Sequence, residues 1–134
     1  MATFQSLDEA REYFKNDRFA TNNGMQIDEL DEGTCVCSMD VTEGHKNAHG
    51  GIMGGVMFTL ADFAFAVASN HVYQPTVALQ VSINFFSVPK GDRLIAKAAC
   101  KKDGRTTCIY DIDVLDSTGR TVAQFIGTGY KHLK

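Results

Sequence analysis

Apolar positions in the first forty residues follow a helical period and then a strand period. Residues 6–16 place their apolar side chains on one helical face, and Ser6 followed by Glu9 three positions later forms a capping-box pattern. Residues 19–30 are mixed, and we expect a turn followed by a short strand there. Strict alternation over 33–41 predicts a further strand. One face of that strand carries Cys35, Cys37 and Met39.

A long apolar run covers residues 53–69 and predicts a helix that continues to about Val72. Asp62 is the only Asp, Glu, Lys or Arg residue between positions 47 and 89. The run approaches the length of about 20 residues that spans a bilayer. Two glycines at its start and the acid at its middle argue against a membrane helix, so we expect no membrane contact. A helix that is apolar on all sides is instead enclosed by other protein structure.

The last sixty residues predict antiparallel β structure. Four alternating, β-branched and aromatic segments occupy residues 76–86, 94–101, 106–115 and 120–130. The second and third of these are joined by a turn around Asp103-Gly104, a strong hairpin signal. Repeats and linkers are absent from the sequence. We therefore expect one domain over 1–134, of the α+β class, in which a meander of five to six strands curves around the long helix and a short helix precedes it.

Composition narrows the classes of function. The chain has 134 residues, 44% hydrophobic and 22% charged, which is typical of a globular protein. A net charge of −3 argues against a nucleic-acid partner. The N-terminus lacks a signal-peptide pattern and the four cysteines do not resemble a disulfide framework, so we expect a cytoplasmic, reduced protein. Cys35 and Cys37 lack a second ligand pair at zinc spacing, so they are expected to be core thiols without metal. His45 and His71 are expected to be solvated.

Two features of the apolar run could carry chemistry. Gly54 and Gly55 open the predicted helix, where backbone N–H groups lack partners and the helix dipole is positive. Such donors suit an oxyanion hole, although glycines there could also serve only close packing. Asp62 could act as a nucleophile or as a general base for water. The alternative is a buried carboxylate that is satisfied by hydrogen bonds.

Gly54 and Asp62 are too far apart along the predicted helix to act together within one chain. Eight residues of helix hold Gly54 and Asp62 about 12 Å apart, at about 1.5 Å per residue. Groups acting on one reacting carbon must approach it to about 3 to 3.5 Å. If both are catalytic, each site combines Gly54 of one chain with Asp62 of another. The sequence thus predicts an active site at a dimer interface.

The same residues carry a family resemblance. Asn47, then Gly54-Gly55, then Leu60-Ala61-Asp62 followed by Phe63-Ala64-Phe65-Ala66 resembles the PaaI-type branch of the hotdog-fold thioesterases. The resemblance implies the hotdog fold, a homodimer paired into a homotetramer, and hydrolysis of an acyl-CoA, of medium chain or arylacetyl type, without a metal or other cofactor. It makes Gly54 the donor to the thioester carbonyl, Asp62 of the opposing subunit the nucleophile or base, and Asn47 a residue that places water or the carbonyl. Further substrate-binding residues are then expected at Met53, Gly55, His49 and Phe58.

One position departs from the family pattern. Met53 stands where the family has a histidine before the glycine pair, and a thioether is a poor hydrogen-bond partner. His49, four residues earlier, could supply the missing group. Two alternatives to a thioesterase therefore stay open. One is a protein that binds acyl-CoA with little or no turnover, and the other is an acyl-thioester dehydratase, for which only His49 could be the catalytic histidine.

Overall fold

The computed structural model describes residues 2–132 as three α-helices, a short 3₁₀ helix and six strands. The helices are α1 (Leu7–Phe14), α2 (Arg18–Asn22) and α3 (Gly54–Val72), with the 3₁₀ helix at Glu43–His45. The strands are β1 (Gln26–Asp31), β2 (Thr34–Asp40), β3 (Thr76–Phe85), β4 (Arg93–Asp103), β5 (Thr107–Asp116) and β6 (Thr121–Lys131).

All six strands form one antiparallel sheet in the order β1-β2-β4-β5-β6-β3. The expected meander is therefore wrong in one respect: β3 does not pair with β4, the next strand in the chain. The long helix α3 crosses between β2 and β3 and carries the chain to the far edge of the sheet, where β3 pairs with β6. Alternation along each strand predicts the strand itself, but not which neighbour it will pair with.

Helix α3 lies across the curved sheet and forms the centre of the hydrophobic core. Leu60, Ala64 and Val67 are fully buried, as are facing sheet residues such as Ile112 and Phe125. By length and composition α3 could span a membrane, but most of it is buried inside the protein. Its uniformly apolar character therefore comes from enclosure by the sheet and the N-terminal helices.

Two glycines of β6 make room for an aromatic side chain of α3. A Cβ atom at Gly127 or Gly129 would lie 3.1 Å from the Phe65 ring, which is tighter than ordinary contact. The ring packs edge-on against Tyr110 of β5, with 5.8 Å between centroids. These contacts hold α3 close to the sheet and fix the rotation of the helix about its axis.

The N-terminal segment packs against the opposite side of α3. As predicted, Ser6 caps α1, and its hydroxyl accepts the Glu9 backbone N–H at 3.1 Å. The Phe14 ring packs edge-on against Phe63 of α3 at 5.9 Å. This packing brings α2, which the sequence pattern did not predict, beside the middle of α3. Five residues are too few for a helical period to be recognised.

The two histidines expected in solvent are buried. His45 accepts the Thr42 backbone N–H through Nδ1 at 3.0 Å, and its Nε2 lies 3.2 Å from Asn23 Oδ1. The ring of His71 stacks on Phe4 at 5.7 Å, and burial lowers its pKa. Each ring joins segments that are far apart in sequence, so local polarity could not reveal its burial.

Candidate active site

The first turn of α3 presents two backbone donors. Met53 precedes the helix in an extended conformation (φ −64°, ψ 137°), and its N–H donates to His45 O at 3.0 Å. Within residues 2–132, the N–H groups of Gly54 and Gly55 have no acceptor. Backbone N–H groups in a first helical turn point along the axis toward its N-terminus. The predicted oxyanion donors are therefore free to bind a ligand oxygen there.

The absence of a side chain at Gly54 allows an aromatic ring to approach the helix start. A Cβ atom at Gly54 would lie 3.2 Å from Phe85 Cζ, at the end of β3. At Gly55 a Cβ atom would lie 2.8 Å from the Met53 methyl carbon. Close packing is thus one reason why glycine occupies positions 54 and 55, in addition to any role of their N–H groups.

Asp62 is half-buried and faces a cavity of about 290 Å³. Thr59 and Phe63 of α3 form one wall of the cavity, and residues 16–20 form the other. Within residues 2–132 the Asp62 carboxyl accepts no hydrogen bond and forms no ion pair, although Arg18 lines the same cavity. Burial raises its pKa, and the nearby Asp17 carboxylate raises it further. A carboxyl with these properties is more basic than an exposed aspartate, as a base or nucleophile requires.

A second cavity, of about 120 Å³, adjoins the helix start. Its lining includes Gly55 and Thr59 of α3, Met53 just before α3, and Phe19 of α2. Gly55, Thr59 and Asp62 are spaced four and three residues apart, so they form one stripe along the helix. This stripe is the part of α3 that the sheet leaves uncovered, and both cavities open along it.

Asn47 organises the glycine-rich loop that precedes α3. Its side-chain Oδ1 accepts the backbone N–H groups of His49 at 2.9 Å and Gly51 at 3.2 Å. Gly50 adopts φ +81°, which favours glycine. The Asn47 side chain thus has a structural task in the loop, while its amide nitrogen has no acceptor within residues 2–132.

The other predicted substrate-binding residues differ in their placement. Met53 is 48% exposed and lines the smaller cavity together with Gly55. His49 is exposed and lines neither cavity. Phe58 packs edge-on against Phe125 of the sheet at 5.4 Å and also lies outside both cavities. The structure therefore groups Met53 and Gly55 with the helix start, and places His49 and Phe58 away from the cavities of one chain.

Two side chains of α2 and its cap lie at the site although the sequence did not single them out. Asp17 caps α2 without a side-chain hydrogen bond and lines the cavity of Asp62. Phe19 lines both cavities. The one sequence signal was the dipeptide Asn16-Asp17, which is typical of a helix start and lies two residues before Phe19.

One edge of the sheet is apolar and uncovered. Strand β3 is the edge strand next to β6, and most of its side chains are exposed on both faces. The exposed apolar side chains of β3 and the residues after it are Val77, Leu79, Phe85, Phe86 and Val88. Soluble proteins rarely leave a long apolar edge strand open to solvent.

Comparison with known proteins gives consistent results. Residues 49–123 match the sequence profile of the thioesterase superfamily. The acyl-coenzyme A thioesterase PaaI of Escherichia coli K12 is 37% identical over 123 residues, which is 91% of this chain and 88% of that protein. The solved structure of E. coli PaaI superposes with a TM-score of 0.88 and covers 94% of this chain and 92% of its own.

Two further relatives carry informative descriptions. Human acyl-coenzyme A thioesterase 13 is 32% identical over 105 residues, which is 75% of this chain and 74% of the human protein. A hypothetical thioesterase protein from Streptococcus pneumoniae TIGR4, solved with coenzyme A, is 30% identical and has a TM-score of 0.80. That match covers 87% of this chain and 94% of the streptococcal chain.

Proposed function

Because the chain belongs to the thioesterase superfamily and is a PaaI-like thioester hydrolase of the hotdog fold, we propose that it hydrolyses an acyl-CoA to a carboxylic acid and coenzyme A. The half-buried Asp62 carboxyl carries this proposal, because it faces a cavity without a partner that would neutralise it. The names of the E. coli and human relatives and the coenzyme A in the streptococcal structure support the same substrate class.

In the proposed reaction, the thioester carbonyl oxygen accepts the Gly54 N–H at the start of α3. The Asp62 carboxylate either attacks the carbonyl carbon or removes a proton from a water molecule that attacks it. The resulting tetrahedral oxyanion is stabilised by the Gly54 N–H and the helix dipole. Collapse of this intermediate breaks the carbon–sulfur bond and releases the thiolate of coenzyme A. If Asp62 attacks directly, water then hydrolyses the acyl-aspartyl anhydride.

The proposed site needs two protomers. Gly54 and Asp62 lie on one continuous helix, about 12 Å apart at about 1.5 Å per residue. We therefore propose a homodimer in which α3 helices of two chains lie antiparallel, so that Gly54 of one faces Asp62 of the other. The exposed apolar edge at β3 supports this assembly. Pairing of dimers into a homotetramer, a single domain over 1–134 and a cytoplasmic location also belong to the proposal.

Substrate contacts are proposed for the residues around this pair. Met53 and Gly55 line the cavity at the helix start, and we propose that they contact the acyl-CoA near its carbonyl. Asn47 holds the preceding loop and has an amide donor to offer. His49 and Phe58 lie outside both cavities of one chain, so a role in binding would have to arise at the surface shared with a second chain. Medium-chain and arylacetyl groups are the proposed acyl moieties.

Thiol release from a panel of acyl-CoA esters tests the proposal. Asp62→Asn should abolish release, with a loss in kcat of at least about 10²-fold because it removes the base or nucleophile. The variant should remain folded and melt at a higher temperature than the parent, since a partly buried carboxyl without a partner costs stability when ionised. Full activity in the folded variant would refute the role of Asp62.

A second candidate function rests on Met53. Its thioether replaces a hydrogen-bonding histidine beside the proposed oxyanion donors, which is the change expected in a protein that binds acyl-CoA without hydrolysing it. Tight binding of acyl-CoA with no thiol release by the unmodified protein would favour this function over hydrolysis. Formation of an enoyl-CoA without thiol release would instead identify a dehydratase.

A further inference from the structure

Helix α2 holds one large apolar side chain over the stripe that carries Asp62. Phe19 is 73% exposed, the most exposed of the large apolar side chains in the described chain. Its neighbour Ala20 is buried, so α2 is anchored while the Phe19 ring stays free. Phe19 and Thr59 are the two residues that line both the cavity beside Asp62 and the cavity beside Gly55. The ring therefore stands where the two cavities adjoin.

The cavity beside Asp62 has the size and lining for a limited acyl group. Its volume of about 290 Å³ is close to the lower end of the range of about 300 to 1,000 Å³ that is typical of small-molecule pockets. The apolar part of its wall consists of Phe19, Ala20 and Phe63. Asn16 and the charged side chains of Asp17 and Arg18 form another part of the wall. A space of this size suits a short or medium acyl group, aliphatic or aromatic.

We propose that Phe19 sets the acyl-chain length that this enzyme accepts, because its ring separates the cavity beside Asp62 from the smaller cavity beside Gly55. This inference rests on the proposed thioesterase function. In the proposed dimer, the substrate carbonyl lies between Asp62 of one protomer and Gly54 of its partner. The acyl group enters the cavity beside that Asp62, and the Phe19 ring ends the apolar space there. Removing the ring joins the two cavities and lengthens that space along Thr59.

A chain-length series of kcat/KM values tests this role. Acyl-CoA esters from acetyl to dodecanoyl, together with phenylacetyl-CoA, are compared for the parent, Phe19→Ala and Phe19→Trp. Phe19→Ala should move the optimum to longer chains, by about fourfold in relative kcat/KM for each further methylene that becomes buried. Phe19→Trp should move the optimum to shorter chains. Since the ring is mostly exposed, neither variant removes core packing.

Asn22→Ala provides the matched control. Asn22 is exposed on the same short helix and lines neither of the two cavities, so its substitution should leave the chain-length profile unchanged. An unchanged profile in both Phe19 variants, with parental activity retained, would overturn the inference while leaving the thioesterase function intact. Absence of thiol release in every protein, the parent included, would refute the thioesterase function itself.

Discussion

At the scale of single residues, Asp62 shows how a costly side chain can be placed for reactivity. Burial removes water from the carboxyl, and no hydrogen bond or ion pair within residues 2–132 replaces that water. The pKa is therefore raised, which makes the carboxylate a stronger base than an exposed aspartate. A buried Asp116 shows the opposite arrangement. Its carboxylate accepts hydrogen bonds from Thr118 Oγ1 at 2.6 Å and the Lys90 N–H at 2.8 Å, and its pKa is lowered.

Asp116 and Asp62 differ in the number of hydrogen bonds that their carboxylates accept. Asp116 is completely buried, yet its hydrogen bonds stabilise the charged form and join the turn after β5 to Lys90. Asp62 is only half-buried but has no such bonds. Burial alone therefore does not identify a reactive acid. The number of donors that surround the carboxylate does.

Asp17 should tune the pH dependence of hydrolysis. After burial, its negative charge is the second cause of the raised Asp62 pKa. Asp17→Asn removes that charge and should lower the Asp62 pKa. Since hydrolysis needs the ionised Asp62, activity is lost as the pH falls through this pKa. The acid limb of the profile of kcat/KM against pH should therefore move to lower pH.

Glu12→Gln removes the same charge at an exposed site on α1, where Glu12 pairs with Lys15 at 2.7 Å. Its acid limb should coincide with that of the parent enzyme. If Asp17→Asn leaves the acid limb in place, or moves it to higher pH, the carboxylate of Asp17 does not act on Asp62.

At the scale of secondary-structure elements, α3 and β3 have different proposed roles: α3 carries the catalytic groups and β3 forms the subunit interface. Helix α3 supplies both proposed catalytic groups, and its other faces are buried against the sheet and α1. Strand β3 pairs with β6 on one side only and exposes apolar side chains along its length. An element that is apolar but uncovered in one chain is expected to be covered in the assembly.

A charge on β3 should break the proposed assembly. Leu79→Lys places an ammonium group at a side chain that is 63% exposed in one chain, so the fold should tolerate it. Desolvation of that charge in an interface is costly. Light scattering after size-exclusion chromatography should show monomers, and thiol release should fall with the loss of the second protomer.

The control for this experiment is Glu29→Lys on β1, the opposite edge strand of the sheet, where the side chain is also exposed. It should keep the parental mass and activity. A Leu79→Lys protein that retains the parental mass would show that β3 is not the interface.

At the scale of the whole molecule, the site is expected to be shared between chains. A dimer with two-fold symmetry contains two such sites, each with Gly54 from one protomer and Asp62 from the other. This arrangement makes hydrolysis depend on dimer formation. A separated protomer contains both groups, but they lie too far apart on α3 to act on the same carbonyl.

Mixing two inactive variants should therefore restore activity. Gly54→Val should block the helix start, since even a Cβ atom at Gly54 would lie 3.2 Å from Phe85 Cζ. Random exchange of Gly54→Val and Asp62→Asn protomers gives about half heterodimers, each with one intact site, or about a quarter of the parental activity. Activity that never exceeds the sum of the separate variants, with exchange verified by mass spectrometry, would exclude a shared site.

Much of this molecule could be predicted from local patterns. The capped helix α1, the buried face of β2 with Cys35 and Cys37, and the extent of α3 all agree with the structure. Each depends on residues within one element, whose period or cap is written in adjacent positions. The position of Asp62 as the lone charge of an apolar helix was equally visible.

The features that local patterns did not predict depend on contacts between residues distant in sequence. The position of β3 beside β6, the burial of His45 and His71, and the contact of α2 with the middle of α3 involve residues distant in sequence. The amino-acid sequence by itself determined the elements, the glycine pair and the acid eight residues later, because these follow from local sterics and helix geometry. Only the tertiary structure decided what faces that acid, since the cavity of Asp62 is formed by side chains from α2 and α3 that packing alone brings together.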